Sequence, residues 1–325
     1  MFNSSTTNTF EATAVGVARC SLSLSIAFAA IGGRAGFLEA FLIVLFGTPI
    51  QQFSAELVSR IATDTGGTLS VFLFGGSMGV IIALMLSWKQ EGAFYAHKEY
   101  TSNKLSRTMA LLGGAFCWIC FPFFNTNVAP DLFIYSHGAI STFFCISASV
   151  ATMVGFSLLI DQRMELRRLL CAIIAGGVIV GSSSIHIYNP LGALFLGTLA
   201  GILQYFFCKL DIMMGMKPLW SNGVLFLFVG QGFIGGFASD IFKAINKTST
   251  SFGSSYGALI DNFVGRAGGQ IGGTFIALFF GALGGLLISL IIMCVNKETR
   301  KTYYQDAGYW ILDDEALMDK WYDEP

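Results

Sequence analysis

The stretch that decides the fold is residues 270–295, QIGGTFIALFFGALGGLLISLIIMCV, 26 residues without one charged side chain. About 20 apolar residues cross a hydrocarbon core as a helix. Moving outward, eight further stretches read the same way: 12–33, 37–58, 68–88, 108–126, 137–160, 169–187, 190–208 and 219–242. Pro190 opens the seventh, where a missing N–H costs nothing. The runs are too long for membrane strands and lack period-2 alternation. The expected fold class is therefore an all-α polytopic membrane protein of about nine spans. Its parts are an outside N-terminal segment 1–11, a membrane domain 12–295 and an inside tail 296–325.

Composition agrees. Of 325 residues, 54% are hydrophobic and 12% charged, with a net charge of −1, and the mean hydropathy is +0.65. Soluble domains carry about 25% charged residues. A disordered chain, a nucleic-acid binder and an ordinary cytosolic enzyme are excluded. Among the 38 glycines, pairs at 75–76, 113–114, 176–177, 235–236, 272–273 and 284–285 fall in spans or span starts. Small residues let helices pack closely in lipid.

Lys and Arg set the orientation. With the loop 89–107 inside, that side holds 14 of the 19 basic residues. They are Arg34, Lys89, Lys98, Lys104, Arg107, Arg163, Arg167, Arg168, Lys209, Lys217, Lys297, Arg300, Lys301 and Lys320. The other side holds Arg60, Lys243, Lys247 and Arg266. The positive-inside rule then places the N-terminus outside and the C-terminus inside. Sequons at Asn3 and Asn246 fall on the outer face. A plasma membrane and a mitochondrial inner membrane are both compatible with this pattern.

Ionisable groups at membrane depth are functional candidates. Arg19 is the deepest, and an interhelical or subunit ion pair and a pore role both fit it. Glu39, Glu56 and Asp240 lie near span ends. His97, His137 and His186 lie in a loop or at span ends and read as caps or interface residues. Asp313, Asp314 and Glu315 read as a solvated acidic run. Cys117 and Cys120 form a lone C-x-x-C on an apolar span and read as packing residues. No acid–base, nucleophile or metal constellation is present in the sequence, so neither an enzyme nor a metal or other cofactor is expected.

Ordered motifs then carry a resemblance. They are Asp64-Thr65-Gly66-Gly67-Thr68-Leu69-Ser70-Val71; Phe121-Pro122-Phe123-Phe124-Asn125 after Trp118; and Ile140 through Phe143 with Ala148 to Thr152. Ala175-Gly176-Gly177 through Gly181 follow, then Pro190-Leu191-Gly192, Gly232 through Gly236, and Asp306-Ala307-Gly308-Tyr309-Trp310. Together they resemble the Rh branch of the ammonium transporter/Rh superfamily. The resemblance implies an eleven- or twelve-helix bundle, usually trimeric, with a pore through each protomer for ammonia or ammonium. It also implies phenylalanine gates at the outer mouth and two facing pore histidines.

This chain departs from that pattern. Phe72 stands where the resemblance places the first pore histidine, and Phe228 where it places the second. A phenyl ring neither hydrogen-bonds ammonia nor relays a proton. The second-repeat acid is replaced by Trp220-Ser221-Asn222, while Asp64 is kept and is expected to cap a helix or bind backbone N–H groups. Phe124 matches a gate phenylalanine. Nine spans correspond to the family's last nine, so a trimer of the family type is in doubt.

The expected function is a non-conducting structural or accessory subunit of a larger membrane complex. Its partners would be the bilayer and other membrane subunits, and no nucleic acid. Those subunits would meet the surface left by the missing N-terminal helices and the tail 303–325, whose Trp310 and Trp321 are amphipathic anchors. The alternative is a channel for neutral ammonia or carbon dioxide.

Overall fold

A computed structural model describes residues 4–33, 35–87, 104–129, 132–214, 223–248 and 268–295. His97, Arg34, Lys89, Lys98, Lys217, the Trp220-Ser221-Asn222 stretch, Arg266, the sequon at Asn3 and the tail 296–325 lie outside the described residues. The described residues form nine helical segments. They are α1 (Ser4–Ala30), α2 (Phe37–Ile61), α3 (a π-helical turn Thr68–Leu73 running into Phe74–Ser87), α4 (Lys104–Phe124) and α5 (Leu132–Phe156, ending in the π turn Ser157–Asp161). Then come α6 (Leu166–Val180), α7 (Pro190–Met214), α8 (the π turn Leu225–Gly230 running into Gln231–Thr248) and α9 (Gly269–Val295). Eight of them are long and apolar enough to cross a membrane. The protein is an all-helical, multi-pass membrane protein.

Three boundaries differ from the sequence reading. α1 starts at Ser4, ahead of the expected span 12–33, while its span-length apolar part runs Thr13–Ala30. α8 continues to Thr248, into the stretch 243–269 read as a loop. The expected span 169–187 is helical only to Val180 and continues as turns to His186. The cause is local: Gly181-Ser182-Ser183-Ser184 offers hydroxyls that compete with the helix ladder. Ser183 Oγ turns back to Val180 O at 3.2 Å and Ser184 Oγ to Gly181 O at 3.2 Å.

Non-helical backbone at membrane depth survives only where its polar groups are satisfied by protein or a water-lined cavity. Here the 181–186 turn pairs with the segment entering α3. Gly66 N donates to Gly181 O at 3.1 Å. Ser182 N donates to Thr68 Oγ1 at 2.8 Å, and that hydroxyl donates to Val178 O at 2.8 Å. Gly67 takes the left-handed φ of +68° that this entry requires.

Packing follows the glycines. α5 lies across α6 and α7, and α9 lies across α2 and α3. At Gly201 of α7 an added Cβ would stand 2.6 Å from Ser149 O of α5, so no larger residue fits that seam. The central core joins Ile26, Val71, Phe72, Phe121, Ile146, Met153 and Tyr205 from five helices.

Candidate functional site

The site forms where α3 and α8 cross. Both helices begin with a π turn, a distortion often found at functional positions. Each turn delivers one phenylalanine to the centre. Phe72 and Phe228 lie with ring centroids 6.0 Å apart and planes 10° from parallel. Phe72 is 2% exposed. Phe121 packs on Phe72 with centroids 5.8 Å apart, and Phe124 meets it at 5.8 Å and 67°. Three phenyl rings thus meet the buried Phe72, of which Phe121 is buried and Phe124 and Phe228 half-buried, and none carries a hydrogen-bonding atom.

Arg19 lies beyond this cluster. Its guanidinium stands 6.0 Å from the Phe124 ring centroid. It donates to Asp64 O at 3.3 Å, to Thr65 O, and to Asn127 Oδ1 at 2.9 Å. Among the described residues no carboxylate oxygen lies within ion-pair distance of it. Within this chain the described acceptors of Arg19 are three carbonyl oxygens. Charge-assisted bonds to carbonyls satisfy the guanidinium without burying a second ion.

Asp64 closes the same end. Its Oδ2 accepts from Leu69 N at 3.1 Å, Ser70 N at 2.7 Å and Ser70 Oγ at 2.7 Å. These amides are orphan donors at the start of α3. The carboxylate thereby fixes the turn from which Phe72 projects two residues later. The other near-end acids also cap helices: Glu39 Oε2 accepts from Gly36 N at 2.8 Å, and Asp240 accepts from Gly268 N at 3.3 Å and Ile271 N at 3.2 Å. Glu56 pairs with Arg60 at 3.1 Å on the surface.

His137 and His186 are not at the centre. His186 is fully buried with Nε2 3.1 Å from Thr63 Oγ1. Gln270 Nε2 donates to Thr63 O at 2.6 Å, tying α9 to the same point. His137 stacks on Tyr188 and places Nε2 3.0 Å from Tyr188 O.

At the opposite end sits a charged cluster that the sequence reading missed. Asp161 accepts from Arg168, from Tyr205 Oη at 2.9 Å and from Lys209 Nζ at 3.1 Å. Arg167 pairs with Asp211 at 2.5 Å. The sequence reading takes Arg167, Arg168 and Lys209 only as topology markers. The nearby aspartates Asp161 and Asp211 were the available signal. Among the described residues no group of His, Cys, Asp and Glu could hold a metal ion.

Two π-opened helices thus cross at the centre of a multi-pass membrane bundle. A family model described as the Ammonium Transporter Family matches residues 2–309, so the chain belongs to that family. It is 26% identical over 259 residues to the Ammonium transporter Rh type A of Bos taurus, covering 76% of this chain and 59% of that protein. It is 28% identical over 313 residues to the Rhesus-like glycoprotein A of Dictyostelium discoideum, covering 90% of this chain and 58% of that protein. The chain therefore spans rather more than half the length of these relatives. Among solved structures, Rh50 of Nitrosomonas europaea matches with a TM-score of 0.72 at 23% identity. That match covers 93% of this chain and 76% of that one. It shows the fold.

Proposed function

We propose that this Rh-like protein does not conduct, because the Phe72–Phe228 stack closes the route between the two ends of the bundle, and that it serves as a structural or accessory subunit of a larger membrane complex. What supports the reading is the stack itself. Two parallel phenyl rings 6.0 Å apart, with Phe121 and Phe124 against one of them, stand at the positions that the family resemblance gives to the pore histidines. Ammonium crossing there would lose its hydration and gain no acceptor, a cost of several kcal/mol. Neutral ammonia would need the rings to part.

In this role Asp64 is structural. It holds the α3 entry and does not receive substrate. Arg19 locks that entry to the Asn127 turn, and Phe124 is a gate-like ring that packs instead of opening. The protein sits with its N-terminus outside and its C-terminus inside, and the remaining partners are other membrane subunits meeting α1, α2 and the tail 303–325. No enzymatic chemistry is assigned to it. The test is ammonia flux into proteoliposomes followed by internal pH. Rates equal to those of empty liposomes are expected. Rates above that background would refute the reading in favour of a neutral-gas channel.

A further inference from the structure

At the end of the bundle opposite Arg19, α6 and α7 run antiparallel and meet through a short ladder of side chains. Its first rung is the ion pair of Arg167 on α6 with Asp211 on α7, at 2.5 Å. Cys171 lies four residues after Arg167, and Cys208 three residues before Asp211. Residues three or four apart share one face of a helix. The ion pair therefore sets the two cysteines opposite each other, one turn further along both helices. They meet there: the thiols of Cys171 and Cys208 are in hydrogen-bond contact.

This placement separates the pair from the other cysteines. All seven are free thiols. Cys117 and Cys120, the C-x-x-C of the sequence, stand on one continuous helix, α4. At that spacing Cβ atoms lie about 5–6 Å apart, beyond the roughly 3.5–4.5 Å that a disulfide spans. Cys171 and Cys208 come from two helices and face each other across a seam. Cys208 is 9% exposed and Cys171 half-buried, so the pair is open to a small oxidant through Cys171. Gln204 Nε2 donates to Cys208 Sγ at 3.6 Å and holds that sulfur on the seam.

We infer that Cys171 and Cys208 form a redox-active dithiol, which hydrogen peroxide converts to a disulfide that clamps α6 to α7. The Cys171 thiolate attacks one peroxide oxygen. An S–O bond forms, the O–O bond breaks, and hydroxide leaves and takes up the Cys171 proton as water. Cys171 is then a sulfenic acid. The Cys208 sulfur attacks the Cys171 sulfur, the S–S bond forms, and the S–O bond breaks. Its hydroxide leaves with the Cys208 proton as a second water. In sum, two thiols are oxidised by two electrons and one peroxide is reduced to two waters. A dithiol reductant reverses the step by thiol–disulfide exchange.

The experiment treats the full chain in its membrane with hydrogen peroxide, blocks the remaining thiols under denaturing conditions and analyses peptides by mass spectrometry without reduction. The expected product joins the Cys171 and Cys208 peptides with the loss of two hydrogens. It disappears when dithiothreitol is added before the block, and Cys117 and Cys120 stay unlinked in the same sample. Cys171→Ser should abolish the product, and Cys294→Ser, which alters an exposed thiol, should leave its yield unchanged. The unsubstituted chain decides the matter alone should Cys171→Ser not fold. Four results would overturn the inference: both thiols remaining reduced, Cys171 passing to sulfinic acid without linkage, either cysteine joining a different partner, or a product that dithiothreitol does not reverse.

Discussion

Replacing Asp64 with alanine tests whether the α3 entry is held by that one carboxylate. Its Oδ2 accepts three hydrogen bonds, at 3.1, 2.7 and 2.7 Å, from Leu69 and Ser70. A hydrogen bond to a charged group contributes about 1.5–3 kcal/mol. The three share one oxygen and two adjacent residues, so their losses do not add. A net cost of about 3 kcal/mol follows, with Arg19 still held by the Asp64 and Thr65 carbonyls. For a chain of 325 residues, with an unfolding entropy of about 2.1 cal/mol/K per residue, that corresponds to a fall in midpoint of roughly 4 °C. The assay is thermal unfolding of the detergent-purified protein followed by tryptophan fluorescence. Asp64→Asn keeps one acceptor oxygen and should lose about half as much. A fall of under about 2 °C for Asp64→Ala would refute the argument, since the amides would then be satisfied without the carboxylate.

Three further outcomes are expected. Phe72→Ala empties a fully packed position and should destabilise by about 3–5 kcal/mol, whereas Phe195→Ala on the exposed face of α7 should change the unfolding midpoint little. Gly201→Leu drives a side chain into the Ser149 carbonyl and should abolish the monodisperse peak in size-exclusion chromatography, with Gly16→Leu, which meets open space, as the tolerated control. Asp161→Ala leaves Arg168, Lys209 and Tyr205 without their shared acceptor, and should lower the unfolding midpoint more than Glu56→Ala, which breaks only an exposed pair.

How much was legible in the sequence varied by element. Span positions were readable because long apolar runs have one physical solution in lipid. Pro190 opens α7 as its missing N–H dictates. The break after Val180 was not read, although Ser182-Ser183-Ser184 advertises it, because the surrounding residues are apolar enough to mask it. The π turns gave no sequence signal. They arise where α3 and α8 press against each other through Gly76 and Gly232. The identities of Phe72, Phe228 and Phe124 were picked out, but their mutual stacking depends on contacts across 156 residues of chain, between positions 72 and 228. Arg19 is singled out by its depth, yet two of its three partners are backbone carbonyls 45 and 46 residues away. Sequence patterns describe side chains, and backbone acceptors leave no trace in them. The Asp161 cluster escaped for the opposite reason, since its charges looked like ordinary loop residues.

The central claim is that the stacked phenyl rings are the barrier. The most direct measurement is stopped-flow ammonia flux for proteoliposomes carrying the wild-type chain, Phe228→Ala, and Phe72→Ala/Phe228→Ala, with the amount of folded protein matched by size exclusion. The account predicts wild-type flux at the lipid background and a rise when both rings are removed. Wild-type flux already above background, or a double variant that folds and still passes nothing, would contradict it.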